Sequence, residues 1–540
     1  MHPMLRAHRP LIMGRRGAVA SNHPVATQAG LDVLKAGGNA VDATVAVALT
    51  LGVVEPHMSG LGGDAFYHVW DARRGEGVVF NGTGPAPRAA TLERYREAGG
   101  IPNRGPLSVS VPGCVAGLGA MHAAFGSRPW ASLFGAAIEA ARDGFAATHA
   151  YRHFAGENRQ HLLLDPDSRA AFLEHGEPPP LGALIRQPAL AATLEALAEG
   201  GPDAFYRGPL AARLVAGMAA RGVLIGAEDL ADMEAERQAP IAVPYRGYTV
   251  TQTPPNSTGF TLLQMLRIVA RYDLAALGWN SPALIHLLVE AKKRAFLDRE
   301  AHGADPRGRD IPIDRLLSEE HAAAHAAAID LRRAARLPVR PEAGGGDTTY
   351  FCVVDAAGNC VSAIQSLNSA FGSGVIAGET GVLLNNRMAY WHLDPPGHAN
   401  ALQPGRRVRH TMNAPMVLKD GRPWCVLGTP GADHQVQVNL QAIVAMVDFG
   451  LDPQQALEAP RWTSSQPGQE ANWPHGGEDL LTLEAGFGVD TVAALEALGH
   501  RVKVVPDLEG PCSLEVIRLL DNGVRMAASD PRRDGWAGAF

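Results

Sequence analysis

Hydrophobic and polar positions alternate with a period of two from residue 349 to residue 354. Phe351 and Val353 fall on one side of this pattern, and Tyr350, Cys352 and Val354 fall on the other. The period of two predicts a β-strand. The segment Asp355-Ala-Ala-Gly-Asn that follows predicts a turn, and a second strand is predicted over 360–367.

Helical spacing dominates most of the remaining chain. The first predicted helix covers 24–35, with Pro24 in its first turn, and it ends at Gly37-Gly38. Asn39 is predicted to cap a second helix with Asp42 in its first turn. Further helices are predicted over 114–125, 130–141, 187–197, 210–220, 226–233, 260–270, 285–296, 435–449, 453–459 and 489–498. Further strands are predicted over 66–70, 77–81, 246–253, 415–419, 423–428, 502–505 and 514–520, with Asp420-Gly421 as a hairpin turn.

One stretch lacks any periodic pattern. Residues 331–347 contain basic residues, two prolines and the triple glycine 344–346. This composition predicts a flexible segment, which stops at Thr348. We find no internal repeat and no other linker of this kind.

Composition narrows the possible partners. The net charge is −7 with no basic excess, which makes nucleic acid an unexpected partner. The cysteine count is five, an odd number, and no CxxC motif occurs, so neither a disulfide framework nor a zinc–cysteine site is expected. No histidine stands at metal-ligand spacing with a cysteine, and we expect neither a metal nor an organic cofactor.

The N-terminal residues 1–17 carry arginines but no apolar stretch typical of a signal peptide. The most apolar long run, 40–54, is too short to span a bilayer. We therefore expect a cytoplasmic protein without membrane contact.

Thr348, behind the flexible segment, supports two interpretations. In the first it is simply a β-branched strand residue. In the second, cleavage of the Asp347–Thr348 bond leaves Thr348 with a hydroxyl and a free α-amine. That amine has an ordinary pKa of about 7.7–8.0, so it can act as general base for its own hydroxyl near neutral pH.

A family resemblance favours the second interpretation. The ordered motifs resemble the small-subunit start of the γ-glutamyltransferase family of self-cleaving N-terminal-nucleophile hydrolases; they are Thr348-Thr349-Tyr350, Val353-Val354-Asp355, Gly358-Asn359, Ser366-Leu367-Asn368, 371–374 and 377–386. Residues 18–71 resemble the N-terminal hallmark of the same family. The resemblance implies a four-layer αββα sandwich made of two intertwined products, 1–347 and 348–540, cut before Thr348.

Within 18–71, the run Gly60-Leu61-Gly62-Gly63 superficially suggests a phosphate loop. A helix precedes it and a strand follows, which is the wrong order for such a loop. In the family this turn supports the substrate cleft.

The resemblance also implies site residues. Thr348 is the expected nucleophile, and the main-chain N–H groups of Gly431 and Ala432 are expected to stabilise the oxyanion, although an ordinary strand-to-helix turn is the alternative. The family has Gly-Gly there. Ser366, Asn368 and Asn386 match family positions that contact the nucleophile or substrate, and the first two are expected on one strand face.

Three positions depart from the family pattern. Thr83 replaces the arginine that holds the α-carboxylate of a γ-glutamyl substrate, and Tyr390 replaces the aspartate that binds its α-ammonium. His410-Thr411 replaces Ser-Ser. Without these charged anchors, glutathione is not the expected substrate.

Other residues could take over substrate binding. Arg387 and Arg409 could bind a differently placed carboxylate, and Tyr390 or His410 could hydrogen-bond an acyl group. The alternative is that both arginines are solvated. The pattern is closer to the branch with soluble γ-glutamyltransferase-like proteins and oxamate amidohydrolase, and more distantly to cephalosporin acylases.

We therefore predict an amidohydrolase or acyltransferase that acts on a small amide through a Thr348 acyl-enzyme, with water or an amine as acceptor. The alternatives are a genuine γ-glutamyl enzyme and a non-catalytic binding relative. A dimer of heterodimers is an expected assembly. Tyr350 stands where histidine is common in relatives, so slow self-cleavage is expected.

Overall fold

The protein is described by a computed structural model that covers residues 7–336, 347–395, 397–465 and 480–540. Most of the predicted flexible segment, residues 337–346, lies outside the described residues. Two antiparallel seven-stranded sheets form the centre of the fold.

The first of these, here called the threonine sheet, contains the strand that begins at Asp347. Its spatial order is β19 (Trp536–Ala539), β2 (Ala18–Ser21), β10 (Asp347–Val354), β11 (Cys360–Asn368), β3 (Asp64–Asp71), β4 (Glu76–Gly82) and β7 (Glu236–Gln238). Strand β10 therefore lies in the interior of the sheet, paired on both edges with β2 and β11.

The second sheet, here called the opposite sheet, has the order β1 (Ile12–Gly14), β18 (Arg525–Ser529), β17 (Glu515–Leu519), β13 (Arg422–Gly428), β12 (Met416–Lys419), β9 (Tyr248–Gln252) and β8 (Ile241–Tyr245). A small peripheral sheet contains β14 (Trp462–Ser464), β15 (Leu481–Glu484) and β16 (Val502–Val505), and a two-stranded ladder contains β5 (Phe145–Ala146) and β6 (Leu184–Ile185).

Helices cover the outer faces of both large sheets. They are α1 (Pro24–Lys35), α2 (Ala40–Val54), α3 (Leu92–Glu97), α4 (Cys114–Phe125), α5 (Gly135–Asp143), α6 (His149–Glu157), α7 (Arg159–Leu162), α8 (Pro166–Phe172), α9 (Pro188–Gly200), α10 (Pro209–Ala220), α11 (Ala227–Ala231), α12 (Phe260–Val269), α13 (Leu274–Leu277), α14 (Pro282–His302), α15 (Ile313–Leu316), α16 (Glu319–Ala327), α17 (Gln435–Val447), α18 (Pro453–Glu458) and α19 (Val489–Ala497). The described ranges also contain seven short 3₁₀ helices: Pro106–Ser108, Trp130–Leu133, Pro202–Phe205, Gly378–Thr380, Arg387–Tyr390, Ala432–His434 and Ala485–Phe487.

Three apolar cores separate the four layers. Tyr350 and Cys352 of β10 join residues of the opposite sheet, such as Val426, in a core between the two sheets. Phe351 and Val353, the alternate residues of β10, pack instead in the core beneath the N-terminal helices. A third core joins the outer face of the opposite sheet to α12, α14 and α17. The predicted αββα sandwich is confirmed, and the alternation of residues 349–354 accounts for it.

Most predicted elements occur with bounds shifted by a few residues, but one predicted helix is wrong and the last two strands were missed. Residues 130–141 do not form one helix, because the chain turns at Phe134 between a 3₁₀ helix and α5, which begins at Gly135. Strand β16 lies in the small sheet and pairs in parallel with β15. The final strands β18 and β19 were missed; their small residues, alanine, glycine and serine, give a weak hydrophobic period.

The glycine-rich turn serves close packing. An added Cβ at Gly62 would overlap the carbonyl of Leu383, and one at Gly63 would overlap the carbonyl of Ser366. Glycine therefore allows this turn to lie directly against β11 and the segment that follows it. Within the described residues no helix has both the length and the apolar character needed to cross a membrane. All five cysteines are free and buried.

We predict that Gly428→Ala destabilises the protein. Gly428 ends β13, and an added Cβ would overlap the ring of Tyr350 across the gap between the two sheets. Overpacking of this kind costs about 1–3 kcal/mol. The free energy of unfolding from chemical denaturation measures the effect. Gly135→Ala is the matched control, because its Cβ would meet nothing within 4 Å; equal stability of the two variants would contradict the packing argument.

Candidate active site

Thr348 lies in β10, and its side chain is 3 % exposed. The pairing of β10 with β11 shifts by one residue between Asp347 and Thr349, so that Ser366 and Leu367 together stand opposite Thr348. Such β-bulges redirect side chains and are common near active sites. Here the Thr348 hydroxyl donates to Ser366 Oγ at 3.1 Å.

Ser366 connects Thr348 to the end of β11. Its Oγ accepts from the Asn368 N–H at 2.7 Å. Asn368 has a φ of +85° and so ends the strand in a left-handed conformation. The Asn368 side chain donates to the main-chain carbonyl of Asn386 at 3.1 Å and accepts from Arg387 Nη1 at 3.2 Å. The predicted residues Thr348, Ser366, Asn368, Asn386 and Arg387 are thus brought together as one chain of hydrogen bonds.

Asp64 joins this chain to two further segments. Its carboxylate accepts from the Gly84 N–H at 2.8 Å, from Arg387 Nε at 3.1 Å and from His410 Nε2 at 3.3 Å. Burial raises the pKa of Asp64, but the hydrogen bond from His410 and the charge of Arg387 outweigh burial and hold the pKa below its ordinary value. Asp64 is therefore an ionised hub in a buried site.

His410 is neutral in this environment. Burial lowers the pKa of His410 to about 4, and Arg387 lowers it further against the opposing effect of Asp64. Because a carboxylate can only accept, Nε2 carries the proton that His410 shares with Asp64, which leaves Nδ1 as an acceptor. Within the described residues neither His410 Nδ1 nor Arg387 Nη2 has a hydrogen-bond partner. A buried donor and a buried acceptor are thus both unsatisfied beside Asp64.

Tyr390 and Thr411 complete this region. The guanidinium carbon of Arg387 lies 4.9 Å from the centre of the Tyr390 ring. The Tyr390 hydroxyl is 3.4 Å from Thr411 Oγ1, and burial raises its pKa. Tyr390 therefore remains neutral and offers a ring face and a hydroxyl where the family has a carboxylate.

The alternative of solvated arginines is wrong. Arg387 and Arg409 are each 1 % exposed. Arg409 donates to Glu300 at 3.0 Å, and Glu300 also pairs with Arg299. Arg409 is therefore committed to an ion pair behind the site, and only Arg387 takes part in the hydrogen-bond chain from Thr348.

Within the described residues the Thr83 side chain forms no hydrogen bond with Arg387. Its hydroxyl donates to Asn81 at 2.7 Å and lies 3.2 Å from Asn256 Nδ2. Its neighbour Gly84 reaches Asp64, so the loop touches the hub through its main chain. The Thr83 side chain itself contributes to loop structure.

Gly431 and Ala432 follow β13 of the opposite sheet and are both buried. Gly431 has a φ of +116° and Ala432 a φ of +48°, an uncommon conformation for alanine. In the described part of the chain, neither main-chain N–H donates a hydrogen bond. Buried N–H groups without a hydrogen-bond partner are rare. Two of them in a strained backbone segment are suited to binding an oxyanion.

Thr349 contacts a residue that the sequence analysis did not identify. The Thr349 hydroxyl donates to Glu55 Oε2 at 2.7 Å and accepts from Asn22 at 3.3 Å. Burial raises the pKa of Glu55 to about 7. Thr349 points towards the helices while Thr348 points between the sheets, so Glu55 contacts β10 from the side of the helices.

Asp64 and Glu55 were both missed as functional candidates. Each had a detectable signal: Glu55 is an acid that directly follows the fully buried helix α2, and Asp64 is an acid beside a glycine-rich turn. An acidic residue in such an apolar setting indicates a specific partner.

Comparison with known proteins identifies related chains over nearly the whole length. A family model described as Gamma-glutamyltranspeptidase matches residues 26–540.

Among curated relatives, the "Glutathione hydrolase-like YwrD proenzyme" of Bacillus subtilis is 38% identical, over 97% of this chain and 99% of the relative. The "Oxamate amidohydrolase proenzyme" of Klebsiella pneumoniae is 37% identical, over 97% and 98% respectively. Among solved structures, a cephalosporin acylase from Bacillus halodurans matches with a TM-score of 0.90 and 33% identity. The match covers 100% of this chain and 98% of the acylase chain.

We predict that wild type loses stability as the pH rises towards 7 because Glu55 ionises, and that Glu55→Gln does not show this loss. Because the folded-state pKa of Glu55 is about 7 against an ordinary value of 4.5, folding favours the protonated acid. The protonated Glu55 therefore adds up to about 3 kcal/mol to the free energy of unfolding below pH 4.5. This stabilisation is lost as the pH rises through 7. The difference in free energy of unfolding between wild type and Glu55→Gln, measured from pH 5 to pH 8, should therefore change across this window.

Glu76 is exposed, so Glu76→Gln serves as the control. Its free energy of unfolding should change with pH as that of wild type does. Parallel curves for wild type and Glu55→Gln would show that Glu55 is ionised in the folded protein throughout this range.

Proposed function

Because this chain belongs to the gamma-glutamyltranspeptidase family, we propose that it is a self-cleaving amidohydrolase with Thr348 as its nucleophile. The observation that carries the proposal is the contact between the buried Thr348 hydroxyl and Ser366, at the end of an internal strand. The proenzyme names of its relatives support self-processing into two subunits.

The first reaction is self-cleavage. Thr348 Oγ1 attacks the carbonyl carbon of Asp347, and the peptide N–C bond breaks as the acyl group moves to oxygen. Water then hydrolyses the resulting ester, which releases residues 1–347 and leaves the α-amine of Thr348 free. Large and small subunits remain associated because both contribute strands to both sheets.

The second reaction is turnover of a small amide. The free α-amine takes the proton from Oγ1 as the oxygen attacks the substrate carbonyl. The N–H groups of Gly431 and Ala432 stabilise the tetrahedral oxyanion, an effect worth a few kcal/mol for each donor. The amine of the leaving group receives the proton, and water then hydrolyses the acyl-enzyme. Transfer to an amine acceptor is the competing route.

The acyl pocket is assigned to the residues around Asp64. Arg387 Nη2 is a buried donor without a protein partner, and His410 Nδ1 is a buried acceptor without one. Buried polar groups are normally paired, so both suit a bound ligand. We infer an acyl group that carries a carboxylate or carbonyl oxygen towards Arg387, as in the small amide named for the oxamate amidohydrolase.

The two alternatives are less well supported. A genuine γ-glutamyl enzyme needs charged partners for an ammonium and a carboxylate, and Tyr390 and Thr83 supply no charge. The name "glutathione hydrolase-like" of one relative keeps this candidate open to test. A non-catalytic binding role does not account for the hydrogen-bond chain that runs from the Thr348 hydroxyl to Arg387. A cytoplasmic location and a dimer of heterodimers remain predictions.

We predict that purified wild-type protein separates into two chains in denaturing mass spectrometry and that the smaller begins at Thr348. Thr348→Ala removes the attacking hydroxyl and should stay intact, whereas Thr348→Ser should still be cut. A time course measures the rate, which we expect to be slow because of Tyr350.

The Thr349→Ala variant is the matched control, because it removes the neighbouring hydroxyl and keeps the nucleophile; it should still be cut. An uncut wild type would favour the binding interpretation.

We predict that Arg387→Gln lowers kcat/KM for an amide whose acyl group carries a carboxylate by about 10- to 150-fold, because it removes a charge-assisted hydrogen bond. Arg387→Lys keeps the positive charge, and its kcat/KM should lie between those of wild type and Arg387→Gln. Completion of self-cleavage in each variant verifies that Thr348 is intact. Steady-state hydrolysis of oxamate and of γ-glutamyl-p-nitroanilide compares the two substrate classes.

The proposal expects wild type to prefer oxamate or a related amide. Efficient turnover of γ-glutamyl-p-nitroanilide with micromolar KM would overturn the assigned acyl specificity and favour the genuine γ-glutamyl enzyme.

A further inference from the structure

Three ligand-type side chains meet at a point away from Thr348. Asp298 lies in α14, and His321 and His325 lie four residues apart in α16. Asp298 Oδ2 is 2.7 Å from His321 Nε2 and 3.0 Å from His325 Nε2, and the two ring nitrogens are 2.9 Å apart. One oxygen and two nitrogens therefore form a nearly equilateral triangle.

Protons alone cannot satisfy all three contacts. An ionised carboxylate has no proton to donate, so Asp298 can only accept hydrogen bonds from the two rings. Each Nε2 presents either one proton or one lone pair in the plane of its ring. If both carry protons, two N–H groups face each other. If one lacks its proton, a lone pair faces the carboxylate oxygen.

We infer that Asp298, His321 and His325 bind one divalent transition-metal ion, for which Zn²⁺ serves as the probe. Divalent transition-metal ions take nitrogen and oxygen ligands at about 2.0–2.2 Å, so neighbouring ligand atoms lie roughly 3 Å apart when they subtend a right angle, as in octahedral coordination. The observed separations of 2.7–3.0 Å match that spacing. All three side chains are partly exposed, so the ion can be reached from solvent and can keep water ligands.

An outer hydrogen bond orients the carboxylate. Gln264 Nε2 donates to Asp298 Oδ2 at 2.8 Å. Contacts of this kind hold a ligand in place for a metal and contribute to its affinity. Gln264 lies in α12, so the site joins three helices on the outer face of the opposite sheet.

Two other clusters of histidine and carboxylate are poorer candidates. Glu290, beside His286 and His500, already pairs with Lys293 and Arg294. Glu300, beside His392 and His398, already pairs with Arg299 and Arg409. Asp298 differs, because in the described part of the chain it has no lysine or arginine partner to repel a cation.

The site bears on the catalytic region through its helix. Arg299, next to Asp298, forms an ion pair with Asp433, which directly follows Ala432. Glu300, the next residue, pairs with Arg409, which precedes His410. An ion that fixes Asp298 against α16 therefore fixes the end of α14 that holds both loops. The metal stabilises structure and takes no part in the chemistry at Thr348.

The test uses purified full-length protein freed of metal with a chelator and then dialysed. Calorimetric titration with ZnCl₂ should show one site per chain with Kd in the micromolar range or below, and Zn²⁺ should raise the unfolding temperature. His325→Ala should weaken this binding at least about 100-fold and abolish the temperature shift. His321→Ala should act in the same way.

His500→Ala is the matched control, because it removes a ligand from the competing buried cluster; it should keep wild-type affinity. The unfolding temperature of each metal-free variant verifies folding. The inference is overturned if wild type binds no Zn²⁺ stoichiometrically, or if His321→Ala and His325→Ala bind as wild type does. Because binding is measured without substrate, this outcome is independent of any failure to hydrolyse amides.

Discussion

The strand that carries Thr348 is buried on both faces, and the rest of the site depends on this constraint. Because side chains alternate along a strand, Thr348 must face the gap between the sheets when Phe351 and Val353 face the helices. Apolar residues fill the gap around Tyr350, and Thr348 lies two residues earlier, near the start of the strand. Donors from the opposite sheet can approach it there.

A single carboxylate organises the other side of the site. Asp64 begins the strand next to β11, and it accepts hydrogen bonds from a loop, from Arg387 and from His410. Taking so many polar groups out of water is costly unless each is paired. The two unpaired atoms beside Asp64 are therefore informative, since the other polar groups that contact Asp64 are hydrogen-bonded within the described residues. In the proposed function these two atoms bind the acyl group of the substrate.

The sequence allowed much of the fold to be predicted. The alternation of β10, the Asp420-Gly421 hairpin and the cap of α2 are local signals, and Asn39 and Asp42 do form a reciprocal capping box. Thr348, Ser366 and Asn368 followed from the ordered family motifs.

The rest depended on information that is not local. The bulge opposite Thr348 arises from the register of two strands, and the convergence at Asp64 from the order of strands in a sheet. Likewise, the spacing of His321 and His325 by four residues was visible in the sequence, but Asp298 reaches them only through the packing of α14 against α16.

The last strand of the described chain lies beside residues near its beginning. The main-chain N–H groups of Arg15 and Arg16 donate to the carbonyl of Phe540, while β19 pairs with β2. A short peptide could therefore join the C-terminus to the N-terminal strands without disturbing either sheet. A circular permutant that starts at Thr348 would then present the nucleophile at its own translational start. In this permutant, removal of the initiator methionine would expose the Thr348 α-amine without self-cleavage. Maturation would then be separated from catalysis.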